Sequence, residues 1–285
     1  MSDSIQSNKN PLSAFFRQPK LFVSLPSKGE YYPLGSLEKV ESNEYPVYPM
    51  TARDEIMFKT PDALMNGAST VEVIKSCIPN IKDPWKMPSI DVDVLLCAIR
   101  AATYGNNMDV SSNCPKCNHE NDRVIDLRMV ISNLSQNEFV DKVEIGNSMV
   151  IHLRPMGYDE LSKTALKALE HQRVFSIVND DNIPEDEKLT LVQASFVKLT
   201  DLSLDIVADC IASIESTAGN TDNHEFIREF LKESEKSIFN QLNEAITSAK
   251  DKYSIPALET KCDECGHEYK LELSMDQSDF FGKGF

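Results

Sequence analysis

Lysine and arginine are few and nowhere clustered: the 285-residue chain has 29 of them against 45 Asp and Glu, a net charge of −16. Counterion release at a phosphate backbone needs clustered cations, so a function resting on non-specific attraction to nucleic acid is disfavoured. Also missing is any stretch near the roughly twenty apolar residues that a membrane helix needs. The first twenty residues, with Lys9, Arg17 and Lys20 among polar positions, lack the uninterrupted apolar segment of a secretion signal. A chain that is cytosolic at synthesis, with no membrane partner, is the expectation.

Catalytic signatures are missing as well. There is no G-x-x-x-x-G-K-[ST] loop, G-x-G-x-x-G turn, G-x-S-x-G elbow or H-E-x-x-H helix, and His224-Glu225 is followed by Phe226-Ile227-Arg228 in place of a second histidine. His152 and His171 have no nucleophile nearby in sequence. The Asp-Glu pairs fit helix N-termini, where acids meet the positive end of the dipole, better than acid/base catalysis. No enzymatic role and no small-molecule substrate is expected.

What is present is an ordinary globular composition, 41% hydrophobic and 26% charged, and one short pattern written twice. Cys114-Pro115-Lys116-Cys117-Asn118-His119-Glu120 returns as Cys262-Asp263-Glu264-Cys265-Gly266-His267-Glu268. Each pair supplies two thiolates to a tetrahedral ion, and two pairs make a closed four-sulfur site. In the cytosol paired thiols more often hold metal than form disulfides. Cys114, Cys117, Cys262 and Cys265 are therefore the candidate ligands of one structural zinc, with His119 and His267 beside the site. Zinc ligation in small domains releases roughly 10–16 kcal/mol that becomes folding energy, well above the few kcal/mol needed to close so long a loop. Cys77, Cys97 and Cys210 sit alone in apolar stretches and read as core residues.

The pattern along the chain predicts an α+β fold, helical segments with short strands and a split zinc ribbon. Residues 1–20 read as a flexible extended arm, and Leu21–Pro26 as a strand running into the Ser27-Lys28-Gly29 turn. Helices are expected at about 52–65, capped by Thr51, and at 69–78 and 91–104, the last stopped by Gly105. The alternation in Arg123–Met129 predicts a strand after the first knuckle. Val140–Ile145 and Met149–Leu153 flank Gly146-Asn147-Ser148 as a hairpin, a helical region of three or four helices covers about 158–250, and Tyr269–Leu273 alternates after the second knuckle.

Both halves follow one order: an extended segment ending in Pro-Met, an Asp-Glu helix start, helices, a strand, a knuckle and a strand. Pro49-Met50 with Asp54-Glu55 answers Pro155-Met156 with Asp159-Glu160 once a one-residue gap is allowed. The order predicts an internal duplication, with a first half over 21–135, a second half over 136–275 carrying the helical insert 158–250, and a flexible tail over 276–285. Phe15-Phe16 in the arm and Phe280-Phe281 in the tail are candidate partner-binding residues. Residues 201–245 carry 10 acids and 3 bases, a net of −7, which reads as a solvated helix face or a docking surface for a basic partner.

Several runs resemble the baseplate hub and tail-assembly protein family of T-even-like contractile-tailed bacteriophages: Asn10-Pro11-Leu12-Ser13, Phe16–Pro19, Leu25–Gly29, Pro49–Glu55 and Pro61–Gly67. The resemblance implies a non-enzymatic role in building the baseplate hub, with hub, tail tube or tape measure proteins as partners. It also implies assembly in the host cytoplasm and a place in the virion tail baseplate. Within the family a tape measure chaperone is the alternative. Outside it, the alternative is a zinc-ribbon adaptor for nucleic acid or host transcription machinery.

Overall fold

A computed structural model describes the protein over residues 10–58, 67–146, 148–177 and 184–271. In the first core, β1 (Leu21–Ser24) pairs antiparallel with β2 (Glu44–Val47), setting Leu21 opposite Val47 and Val23 opposite Tyr45. Val23, Tyr45 and Val47 turn inward at alternate positions, and Pro46 is tolerated because the two-stranded sheet leaves its edge unpaired. Among the described residues the helices α1 (Ala52–Phe58), α2 (Ala68–Cys77) and α3 (Val92–Tyr104) follow. Val94 to Ile99 of α3 are all buried, as in a helix surrounded by protein on every side.

The predicted caps form. Thr51 Oγ1 accepts the Asp54 N–H at 3.3 Å while Asp54 Oδ2 accepts the Thr51 N–H at 2.8 Å, a reciprocal box that satisfies two amides at the start of α1. Gly105, at φ 95°, donates its N–H to the Ala101 carbonyl at 3.0 Å and ends α3. Residues 59–65 of the predicted 52–65 helix lie outside the described residues, as do Pro61–Asn66 of the resembling runs.

β3 (Asn107–Asn113) and β4 (Glu120–Asp126) form a seven-residue antiparallel hairpin around the first knuckle. The strand expected through Met129 stops at Asp126, whose side chain accepts the Arg128 N–H at 3.0 Å and caps α4 (Leu127–Ser135). Leu127, Val130 and Leu134 face the core at spacings of three and four, so the helical period wins. Met129, which continued the alternation, is exposed.

The second core packs a four-stranded antiparallel sheet, β5 (Lys142–Ile145), β6 (Met149–Leu153), β7 (Ile211–Ser216) and β8 (Gly219–Thr221) in that order, against helices. These helices are α6 (Glu185–Asp209), α7 (His224–Glu233) and α8 (Lys236–Tyr253); α5 (Tyr158–Ile177) packs along α6. Among the described residues the helical region therefore holds four helices and is broken by the β7–β8 hairpin. The reason the strand escapes the sequence pattern is a register shift between His152 and Leu153, which leaves Ala212 as an extra residue. Buried Ile211 and Ile214 thereby come three apart, a helix-like spacing, while lying in a strand. β9 (Leu258–Lys261) and β10 (Glu268–Leu271) close the described chain as a hairpin around the second knuckle; Glu272 and Leu273 lie outside the described residues.

The cores meet where Tyr158 N–H donates to the Met87 carbonyl at 2.9 Å and Ser89 N–H to the Met156 carbonyl at 2.8 Å. Tyr158 buries its ring in the first core beside Trp85. The N-terminal stretch departs from a simple extended arm: Pro11–Phe15 coils into a single 3-10 segment capped by Asn10. Arg17 is anchored, donating to the Pro49 carbonyl at 2.6 Å, the Ser76 carbonyl at 2.7 Å and Ser76 Oγ at 2.8 Å. Cys77, Cys97 and Cys210 are buried core residues, and burial pushes the Cys77 and Cys210 thiols up to about 12.

Candidate metal centre

The two knuckles are 145 residues apart in the chain from Cys117 to Cys262 and adjacent in space. Cys114 Sγ lies 3.7 Å from Cys265 Sγ, and Cys117 Sγ lies 3.6 Å from Cys262 Sγ. All four sulfurs fall within 4.8 Å of one another, the one such group of potential metal ligands among the described residues. A sulfur–sulfur edge of a tetrahedron with 2.3 Å metal–sulfur bonds is about 3.8 Å, so the spacing fits a four-thiolate ion. It is far too long for a disulfide, whose sulfurs stand about 2.05 Å apart.

Each knuckle is built the same way. The Cys114 N–H donates to the His119 carbonyl and the Cys262 N–H to the His267 carbonyl, both at 2.9 Å. The next tie runs from the residue after the second cysteine: Asn118 N–H to the Cys114 carbonyl at 2.8 Å, Gly266 N–H to the Cys262 carbonyl at 3.0 Å. Closing so tight a turn requires positive φ at that residue, 59° at Asn118 and 67° at Gly266, which is why it is Asn in one copy and Gly in the other. The first cysteine of each pair is buried and the second exposed. Both histidines contribute backbone carbonyls to the turn, and their rings stand outside the four-sulfur group.

The thiols share charge unevenly. Backbone N–H groups of Cys265 and Glu264, with the neighbouring thiols, draw Cys262 down to about 6. Cys117, although the His119 N–H pulls it the other way, is pushed up to about 12 by the thiols around it. Four sulfurs gathered within 4.8 Å are a soft ligand set that suits a thiophilic cation.

Side chains from one hairpin reach the other. Arg123 on β4 grips Asp263 through both carboxylate oxygens at 2.9 Å, donates to Thr260 Oγ1 at 2.9 Å and also reaches the Lys261 carbonyl. Ser112 Oγ and Tyr269 Oη share a hydrogen bond of 2.9 Å. Asn121, 1% exposed, accepts the Asp263 N–H at 2.9 Å and donates to the His119 carbonyl at 2.9 Å. The sequence reading missed Arg123 and Asn121. Their signal was a polar side chain at alternate inward positions of β4, in line with buried Ile125.

The remaining candidates lie apart from this centre. Phe15 and Phe16 are 85% and 59% exposed on the N-terminal 3-10 segment and just after it. Phe280 and Phe281 lie outside the described residues. In the acidic stretch, Arg228 pairs with Asp205 at 2.6 Å and with Asp201 at 3.7 Å, and His224 with Asp209 at 2.9 Å, so part of its charge is met within the helices. A surface cavity of about 760 Å³ between β1 and α4 is lined by Leu21, Phe22, Ala101, Arg128 and Ile131 among others, with no histidine, cysteine or carboxylate in its wall. No helix among the described residues is long and apolar enough to cross a membrane.

The chain is a mixed helix-and-sheet protein in which two facing knuckle hairpins gather four cysteines that could hold a metal ion. The family model described as T4 bacteriophage base plate protein matches residues 24–282, and the chain belongs to that family. It is a phage tail baseplate protein, with other baseplate and tail proteins as its class of partner. Comparison with curated proteins and with solved structures returns no match.

Proposed function

We propose that this chain is a non-enzymatic baseplate hub assembly or structural protein that acts in tail morphogenesis in the host cytoplasm and is shaped by one structural zinc. The observation that carries the reading is the family match over residues 24–282, joined to a four-sulfur cluster that ties the middle of the chain to its end. Cys114, Cys117, Cys262 and Cys265 are the ligands. With four thiolates the tetrahedron is full, and an ion held this way fixes shape and leaves no position for substrate.

The two halves, 21–135 and 136–275, are proposed to descend from one unit. Each begins with a hairpin, β1–β2 or β5–β6, passes through helices and ends in a knuckle hairpin, β3–β4 or β9–β10. Each first helix also opens on an acid bonded to the amide three residues before it. Asp54 accepts from Thr51, and Glu160 accepts the Gly157 N–H at 2.8 Å. The matched cysteine burial and the positive φ at Asn118 and Gly266 support the same reading.

Phe15, Phe16, Phe280 and Phe281 are proposed to engage hub, tail tube or tape measure proteins. The test is affinity capture from infected cells followed by mass spectrometry, with purified virions analysed in parallel. Hub or tube proteins in the captured set support the reading. The tape measure protein alone, with the chain absent from virions, selects the chaperone role within it. Capture of nucleic acid or host polymerase in place of tail proteins refutes it.

A further inference from the structure

We infer that Asn121 is a positioning residue of the metal centre, setting the donor strength of Cys262 from the opposite hairpin. The inference rests on the reading that the four cysteines hold a metal. Asn121 is 1% exposed on β4, and both ends of its amide are engaged. Oδ1 accepts the Asp263 N–H at 2.9 Å, which fixes the second knuckle one residue after Cys262. Nδ2 donates to the His119 carbonyl at 2.9 Å, the same carbonyl that closes the first knuckle onto the Cys114 N–H. Nδ2 also reaches Cys262 Sγ at 3.8 Å, a long N–H to sulfur contact.

One planar amide thus reads both knuckles and donates to a ligand sulfur. The second knuckle has no counterpart: seven residues after Cys262 stands Tyr269, as Asn121 stands seven after Cys114, and Tyr269 bonds Ser112 Oγ instead. Asymmetry in an otherwise matched pair singles out Cys262 as the sulfur with an outer donor. An N–H to a metal-bound thiolate lowers the energy of the sulfur lone pairs and blunts the sulfur as a nucleophile. Residues that orient a metal's ligands in this way typically change its affinity 10–100-fold when lost.

The test uses the full chain loaded with Co²⁺, whose thiolate-to-metal charge-transfer band reports sulfur electron density, and with Zn²⁺ in competition against a chromophoric chelator. Asn121→Leu removes the donor. Arg123→Lys is the comparison, because it breaks the bidentate cross-hairpin clasp while keeping the cation that acts on Cys262. Asn121→Ser keeps the site polar should Asn121→Leu fold poorly. The expected result is a red-shifted band and a 10–100-fold loss of Zn²⁺ affinity in the Asn121 variants, with faster alkylation of Cys262 located by peptide mass spectrometry, and an unmoved band for Arg123→Lys. An unchanged band and affinity in both Asn121 variants overturns the inference, as does an equal shift in Arg123→Lys. Failure of the unaltered chain to bind either ion overturns the metal reading beneath it.

Discussion

Cys262→Ser is the most direct perturbation of the proposed clamp, because it removes one ligand of four and with it the link between Cys114–Cys117 and the end of the chain. The unfolded chain has no preformed site, so the ion stabilises the fold by mass action, about 4 kcal/mol when free zinc exceeds its dissociation constant roughly a thousandfold. The cross-hairpin contacts of Arg123, Asn121 and Tyr269 survive the substitution and keep part of the docking. The expected loss is therefore about 3–5 kcal/mol, or roughly 5–8 °C in Tm for a chain of this size. Zinc content per chain by plasma mass spectrometry and thermal unfolding by circular dichroism read both consequences. Chelation of the unaltered protein should reproduce the fall in Tm, and a chelator should do little more to the variant. Well under one zinc per chain, or an unchanged melt for Cys262→Ser, would falsify the clamp.

Asp91 is fully buried, accepting the Ser27 N–H at 2.9 Å, Ser27 Oγ at 2.6 Å and Tyr32 Oη at 2.9 Å, and burial lifts its carboxyl from 3.8 to about 6 against those bonds. The folded chain holds that proton more readily than the unfolded one, so this contribution is complete below about pH 4 and fades by roughly 3 kcal/mol as pH rises through about 6. Asp91→Asn should flatten that limb in urea midpoints measured from pH 4 to 7, and a slope equal to that of the unaltered protein would refute the assignment. Arg17→Ala strips the donors from the Pro49 and Ser76 carbonyls and should cost about 1–3 kcal/mol in chemical denaturation; a change near zero would mean that Arg17 is not anchored. The double substitution Phe15→Ala with Phe16→Ala removes two exposed rings and should move stability by less than about 0.5 kcal/mol. Captured tail proteins should nonetheless fall away; retention at the original yield would remove these rings from the partner surface.

The sequence by itself determined whatever depends on neighbours in the chain. The Thr51 and Asp54 box, the stop at Gly105 and the two C-x-x-C turns are local devices, each closed within a few residues, and all are where the pattern puts them. Burial of Cys77, Cys97 and Cys210 followed from apolar surroundings a few residues wide. The tertiary structure decided where local patterns were ambiguous or where partners come from far away. Leu127 and Met129 continued an alternation, but Asp126 caps a helix there, and Leu127, Val130 and Leu134 are buried at helical spacing while Met129 is exposed. Ile211 and Ile214 looked helical because one extra residue at the β6–β7 register shift set them three apart, and that shift exists only when β6 lies alongside. Asn121 and Arg123 carried no motif at all. Their partners, Asp263 and Cys262, are about 140 residues away, and only the docking of the two hairpins brings an amide and a guanidinium to the rim of four sulfurs that the spacing alone had paired.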